Sequence, residues 1–199
     1  AHSGDMTTPL MPCIFTDHYY RMHQEDAAEF LHLQLLREES PILTNLTTSY
    51  GQSVLTCAHG GQPRDPTAEQ FCTFDVPIEI SGRGQEEPVR FTDVQSDFNA
   101  FLTDKYNDFP NLCEHCHCNH FIKELRLVGF PETLVLTLKR FKNVRQASGR
   151  HRQQCVGHPV ATSQVLDCQG HLYDLRSVVV HLGDSIESGH YIALAKHET

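Results

Sequence analysis

Residues 173–193 read YDLRSVVVHLGDSIESGHYIA. Two apolar, β-branched runs, 173–182 and 190–196, flank the polar, glycine-bounded segment 183–189. That pattern predicts two strands and a connecting turn. His190 follows Gly189 at the mouth of the second strand, where a residue without a Cβ permits close backbone approach. An imidazole there can act as general base towards a thiol or hydroxyl, or it can be an ordinary structural histidine. His181, at the end of the preceding strand, competes for the same role.

Working outward, residues 121–130 and 133–141 are two more apolar runs, separated by a turn at Pro131. Residues 143–152 are basic, polar and loop-like, as are 60–66, and 81–87 form a polar turn. Residues 50–56 read as a strand, and Phe74, Val76, Ile78 and Ile80 alternate as in a half-buried one. Two helices are predicted. In 24–39, QEDAAEFLHLQLLREE, Ala27, Leu31 and Leu35 recur every four residues, Glu25 and Asp26 suit the first turn, and Pro41 closes the segment. In 93–104, Val94, Phe98, Phe101 and Leu102 share a face, with Thr92 and Gln95 as a capping box. The order helix, mixed strands, strands indicates α+β rather than alternating βαβ.

The chain has 199 residues and a formal charge of −9, enough for a real apolar core and too acidic for phosphate-tracking nucleic-acid binding. That balance suits a basic protein partner. No apolar run reaches the ~18–20 residues of a membrane span, and no signal peptide is visible at the start, so neither nucleic acid nor membrane is expected as a partner. The expected compartment is cytoplasm or nucleus. Eight cysteines, three of them inside residues 113–118, point to a reducing environment and a metal site rather than disulfides. In LCEHCHCNH (112–120), Cys113 and Cys116 have the two-residue gap that lets two thiolates share one tetrahedral zinc. Cys57 and His59, in CAHGG, are the expected second pair, while His117, Cys118 and His120 are further potential donors. A redox dithiol is the rival reading, but such a motif opens a helix, and a strand-like FIKELRLV follows here. Asp26 and Glu29, three apart, share a helix face. That spacing fits a solvated acidic face as well as a binding one.

Taken together and in order, these segments resemble the ubiquitin-specific protease family. QEDAAEFL (24–31) is similar to its QQDAxEFL box, FPETLVLTLKRF (130–141) to its LPxxLxxxLKRF box, and 173–193 to its YxLxAVxxHxGxxxxGHYxA box. The resemblance implies a papain-like α+β cysteine peptidase fold, with residues 1–41 ending the thumb, 42–125 forming the fingers and 126–199 the palm. It implies hydrolysis of the bond after ubiquitin's C-terminal glycine, with ubiquitin and ubiquitinated proteins as partners. On that mapping His190 is the catalytic base and His181 a non-catalytic neighbour. Gly189 and Tyr191 flank the channel for the diglycine tail, and Asp26 and Glu29 face its arginines. Structural zinc is expected on Cys57, His59, Cys113 and Cys116.

The departures carry information too. The family's nucleophile lies in a GNTCYxNA-like box, which also supplies an oxyanion-hole Asn, and no such box precedes Gln24 here. Cys13, in MPCIF, is too near Gln24 to stand for it. The family's third triad member, Asp or Asn, comes after GHY beyond a Trp-Tyr element, and this sequence has no Trp. Gly60 stands where the first knuckle's second cysteine belongs. The expectation is a fragment without the N-terminal thumb helices, inactive by itself. The alternative is a pseudo-deubiquitinase that binds ubiquitin or acts as a scaffold.

Overall fold

The computed structural model describes residues 26–32, 41–78, 92–145, 149, 151–155, 159–185 and 188–197. Cys13, Ile80, the 81–87 turn and most of the helix expected at 24–39 lie outside these residues.

Helix α1 (Ala27–Phe30) starts at Asp26, whose Oδ1 accepts the Ala28 and Glu29 N–H groups at 2.8 and 2.9 Å. Asp26 is therefore the N-cap, satisfying two of the donors that every helix start leaves open. Pro41, read from the sequence as a helix stop, instead opens helix α2 (Pro41–Thr47). Proline is tolerated in a first turn because its missing N–H has no intrahelical partner there.

Strands β1 (Ser49–Cys57) and β2 (Thr67–Phe71) belong to an antiparallel four-stranded sheet with β5 (Thr103–Tyr106) and β6 (Phe121–Gly129), in the order β2-β1-β6-β5. Strand β3 (Phe74–Pro77) pairs in parallel with β7 (Leu136–Lys139). The alternation expected from Phe74 onward holds: Phe74, Val76 and Ile78 are buried.

Helix α3 (Val94–Leu102) corrects two sequence expectations. Its cap is Asp93 rather than Thr92: Asp93 Oδ1 accepts the Ser96 N–H at 2.9 Å and Oδ2 accepts the Ser96 hydroxyl at 2.7 Å. These bonds hold the Asp93 carboxyl below its ordinary range. Thr92 and Asp93 form the short strand β4 (Thr92–Asp93), parallel to β10 (Val160–Ala161). The helix also stops at Leu102, because Thr103 to Tyr106 pair with Glu124 to Phe121. A strand edge with open hydrogen bonds outcompetes one more helical turn at a β-branched threonine.

The main core lies where α3 meets β3 and β6. Phe98 and Val76 have no exposed surface and Phe74 is 1% exposed, with the Phe98 ring edge-on to Phe74 at 5.7 Å. Leu102, Leu125, Leu127 and Cys168 complete it. A second, smaller cluster joins Cys57, Cys113 and Phe121 at the far end of β1 and β6.

Within 143–152, expected to be loop, the described residues at both ends are strand instead: β8 (Phe141–Arg145) pairs antiparallel with β9 (His151–Cys155). Their polar composition hides a ladder whose bonds are made by backbone alone. The strand expected at 173–182 is two: β12 (His171–Asp174) pairs back onto β11 (Val165–Cys168), and β13 (Ser177–Ser185) pairs with β14 (Ser188–Ala195). The β11–β12 turn has positive φ at both central residues, Gln169 (52°) and Gly170 (92°), the geometry of a two-residue type I′ loop.

Two glutamine carboxamides tie this hairpin to the rest. Gln169 accepts the Leu127 N–H at 2.9 Å and donates to the Leu125 carbonyl at 2.7 Å. Gln95 accepts the Asp167 N–H and donates to the Asp167 carbonyl, both at 2.8 Å. A primary amide presents one donor and one acceptor as a peptide unit does, so each side chain substitutes for a neighbouring strand. No helix among the described residues is long and apolar enough to cross a membrane.

Candidate functional site

The β13–β14 hairpin places the GHY residues. In its register His181 is opposite Tyr191 and Leu182 is opposite His190. Cross-strand partners share a face and successive residues alternate, so Tyr191 and His181 lie on one face and His190 and Leu182 on the other. His190 is exposed. The Tyr191 ring centroid is 4.8 Å from that of His181, which lies 6.3 Å from Phe141. A Cβ on Gly189 would strike the His181 ring and come within 2.6 Å of the Leu182 carbonyl oxygen. Only glycine fits there, which is the physical content of the G in GHY.

The Tyr191 hydroxyl reaches across to α1. It lies close to the Asp26 carboxylate and the Ala27 N–H. Burial pushes the phenol above its ordinary range; the Ala27 backbone N–H pulls it down, and the nearby Asp26 carboxylate adds to the upward push. Asp26 and Tyr191, distant in sequence, thus meet at one point. Glu29 is exposed on the first turn of α1. The sequence reading missed that Asp26 serves both as a helix cap and as Tyr191's partner. The signal was present: an Asp three residues before a Glu, opening an apolar helix, is an N-cap pattern.

At the far end of the four-stranded sheet, Cys57, His59, Cys116 and Cys118 place their donor atoms within 4.8 Å of one another. The Cys57–Cys116, Cys57–Cys118 and Cys116–Cys118 sulfur separations are 3.5, 3.4 and 3.2 Å. Three of the four expected donors are in this group. The fourth is Cys118 where Cys113 was expected. Cys113 touches Cys57 but packs, buried, in the small apolar cluster with Phe121. The knuckle turn explains this: Cys113 donates its N–H to the Cys118 carbonyl and accepts from the His117 N–H, and His117 takes φ +55°. That turn brings the thiols of Cys116 and Cys118 together.

The group fits a zinc ion. Sulfurs ~2.3 Å from one tetrahedral zinc stand about 3.8 Å apart, close to the observed triangle, and thiolate with imidazole is a zinc-preferring donor set. All four cysteines of the region, Cys113 included, are free thiols. Cys57 is pulled down by the His59 backbone N–H, but burial and the bonds from Cys118, Cys116 and Cys113 prevail and push its thiol up to about 12. Cys116 is held low, chiefly by the Cys118 backbone N–H. Cys118 is also low: the Cys116 thiol, the His120 backbone and the Cys57 thiol outweigh its burial. A cation bound by such crowded thiols would displace their protons to solvent.

Comparison with known proteins agrees with these observations. The family model described as ubiquitin carboxyl-terminal hydrolase matches residues 7–199. Ubiquitin carboxyl-terminal hydrolase 13 of Saccharomyces cerevisiae is 33% identical over 137 residues, covering 63% of this chain and 17% of that protein. Ubiquitin carboxyl-terminal hydrolase 17-like protein D of Mus musculus is 26% identical over 222 residues, covering 98% of this chain and 37% of that protein. The chain thus spans less than half the length of the curated relatives it matches. Among solved structures, the SAGA Ubp8/Sgf11/Sus1/Sgf73 DUB module bound to monoubiquitin matches with a TM-score of 0.63 at 21% identity, over 87% of this chain and 41% of that one. The same module bound to ubiquitin aldehyde gives 0.62 at 20% identity, over 88% and 42%. The structural likeness identifies the fold as the papain-like α+β fold. With the family model spanning nearly the whole sequence, the chain belongs to the ubiquitin carboxyl-terminal hydrolase family.

Proposed function

We propose that this chain is the greater part of a cysteine-type deubiquitinase domain that hydrolyses the bond after ubiquitin's C-terminal glycine, acting in the cytoplasm or nucleus on ubiquitinated proteins. The observation that carries the reading is the β13–β14 hairpin, which sets the exposed His190 beside Gly189, packed tightly on His181, with Tyr191 against the same ring. On this reading residues 1–41 end the thumb, residues 42–125, which hold β1, β2, β5 and the start of β6, are the fingers, and 126–199 is the palm.

His190 is the base. Exposed beside the glycine that lets the backbone close in, it takes the proton from a cysteine thiol. The thiolate attacks the glycine carbonyl, and the imidazolium returns the proton to the leaving amine. Gly189 and Tyr191 border the channel for the diglycine tail. Asp26, its Oδ1 committed to the helix, offers its remaining lone pairs together with Glu29 to the tail's arginines. A zinc ion at the Cys/His group clamps β1 to the 113–118 knuckle; when bound it supplies structure, not chemistry.

Cys57, Cys116 and Cys118 are grouped at the metal site, Cys113 packs beside them in the small apolar cluster, and Cys168 is fully buried. No GNTCYxNA-like box occurs in the 199 residues. We therefore infer that these residues alone do not turn over conjugates. The second reading, a pseudo-deubiquitinase that only binds ubiquitin, is favoured by that same lack. A ubiquitin probe with a thiol-reactive C-terminus separates them. The 199-residue chain should form no adduct. The full-length protein should form one, and its His190→Ala variant should not. Absence of an adduct in a full-length protein that still binds ubiquitin establishes the pseudo-enzyme. An adduct on Cys13 in the short chain overturns the mapping of the nucleophile.

A further inference from the structure

The basic stretch around β8 and β9 has no part in the function given above. Six of the chain's 16 Lys and Arg residues fall within 139–152, and none of its 25 Asp and Glu residues falls within 133–166. Elsewhere the chain is strongly acidic, with ten cations against those 25 acids. We propose that the β8–β9 hairpin binds a short acidic segment of the protein to which ubiquitin is joined, beside the modified lysine. This rests on the deubiquitinase reading above and adds to it the class of conjugate preferred.

Lys139 is already paired with Asp75 at 3.5 Å, and Arg140 is engaged as well. The cations left in the ladder are Lys142, Arg145 and Arg152. Its register sets Lys142 opposite Gln154, Val144 opposite Arg152 and Arg145 opposite His151. The three cations thus lie within four successive rungs, about 10 Å of strand. Neither strand carries a carboxylate. Cations this close repel one another, and an anion settling among them relieves that cost.

The hairpin starts at the GHY face. Phe141, the first residue of β8, has its ring centroid 6.3 Å from that of His181, which in turn lies 4.8 Å from that of Tyr191. Strand β9 comes beside β13. Between β8 and β9, Gly149 has φ +81°, and a Cβ built on it would meet nothing within 4 Å, so this point stands clear of the other described residues. The base of the hairpin therefore adjoins the site that takes the tail, while Gly149 faces open space. The tail itself carries arginines, which a cationic hairpin repels, so the complement of the hairpin lies on the other side of the scissile bond. A guanidinium takes a carboxylate through two parallel N–H donors, the geometry that Asp and Glu side chains offer. A nucleic acid is the poorer match, because a polyanion longer than the hairpin would run onto the acidic remainder of the chain.

The test measures equilibrium binding of the 199-residue chain to three probes. They are free ubiquitin, ubiquitin joined by a non-cleavable bond to the lysine of a glutamate-rich peptide, and the same conjugate with glutamine in place of glutamate. The glutamate conjugate should bind about ten-fold more tightly than the glutamine one, the sum of three exposed charge pairs of a few-fold each. The preference should vanish at about 1 M salt, where the screening length falls to about 3 Å. The combined variant Lys142→Gln, Arg145→Gln, Arg152→Gln should lose the preference and still bind free ubiquitin as the wild type does. The charge-keeping variant Lys142→Arg, Arg145→Lys, Arg152→Lys should retain it, which separates lost charge from a disturbed ladder. Equal binding of the two conjugates by the wild type overturns the proposal, and so does a preference that survives in the glutamine variant. A single-stranded oligonucleotide that binds through these same cations more tightly than the free glutamate-rich peptide overturns the choice of an acidic protein. A chain that binds no form of ubiquitin, yet binds the free glutamate-rich peptide through these cations, overturns the deubiquitinase reading and leaves the acidic ligand standing.

Discussion

Replacing Tyr191 by Phe removes one oxygen and, on the structure described here, loosens the join between helix α1 and the β13–β14 hairpin. That hydroxyl lies close to the Asp26 carboxylate and the Ala27 N–H, where it can donate to the one and accept from the other. A hydrogen bond to a charged group contributes ~1.5–3 kcal/mol when enclosed; here Asp26 is exposed and Tyr191 half-buried, so water competes and about 1 kcal/mol is expected. Asp26→Ala loses that bond and also the N-cap, whose two N–H contacts at 2.8 and 2.9 Å contribute about 1 kcal/mol more, for a total of about 2 kcal/mol. Because the Tyr191 bond is counted in both single variants, the double variant should fall short of their sum by about 1 kcal/mol. Asp26→Asn separates the two roles: it keeps a capping oxygen and removes the charge, so α1 stays capped while Tyr191's partner weakens. Urea unfolding of the four proteins measures the cycle. Ultraviolet titration of the phenol gives an independent reading, since removing the Asp26 charge should move Tyr191 down towards its ordinary value. A coupling within about 0.3 kcal/mol of zero would refute the claim that the two boxes are joined through this bond.

Other outcomes follow from the same contacts. Gln169→Ala leaves the Leu127 N–H and the Leu125 carbonyl without their partners at 2.9 and 2.7 Å, so unfolding should cost about 2–3 kcal/mol less; Gln169→Glu should not rescue, because a carboxylate would face the Leu125 carbonyl oxygen. Asp93→Ala should lower stability by about 1 kcal/mol at neutral pH through loss of the α3 cap. Because Ser96 holds Asp93 low, that contribution is whole above the unfolded aspartate value of about 3.9 and is lost as pH falls through the lower folded value, so the variant and wild-type stability curves should converge in acid. Asp26→Ala combined with Glu29→Ala should weaken ubiquitin binding by about 1–3 kcal/mol in a titration, and unchanged affinity would show that these carboxylates serve only the helix.

Sequence alone determined the pieces whose signal is local. Alternation exposed the burial of Phe74 and Val76, a glycine before His190 marked a close approach, and spaced apolar residues located α3. Three boxes in order were enough to indicate the family and its papain-like α+β fold. What needed the tertiary structure was every choice among equals. Asp93 and Thr92 are both good caps by composition, and the pairing of β4 with β10 leaves Asp93 facing the open helix end. The β8–β9 pairing could not be read from the polar stretch 143–152, because its ladder is made by backbone groups that every sequence carries. The β11–β12 hairpin turns on Gln-Gly, a weak turn signal strengthened here by the two bonds Gln169 makes to β6. Cys113 and Cys118 are both plausible ligands on paper. Which of them meets Cys57 and His59 depends on a left-handed residue between Cys116 and Cys118 and on the register that sets β1 beside β6, Cys57 opposite Phe121. Spacing along a chain limits which donors can converge, but only the folded backbone aims them.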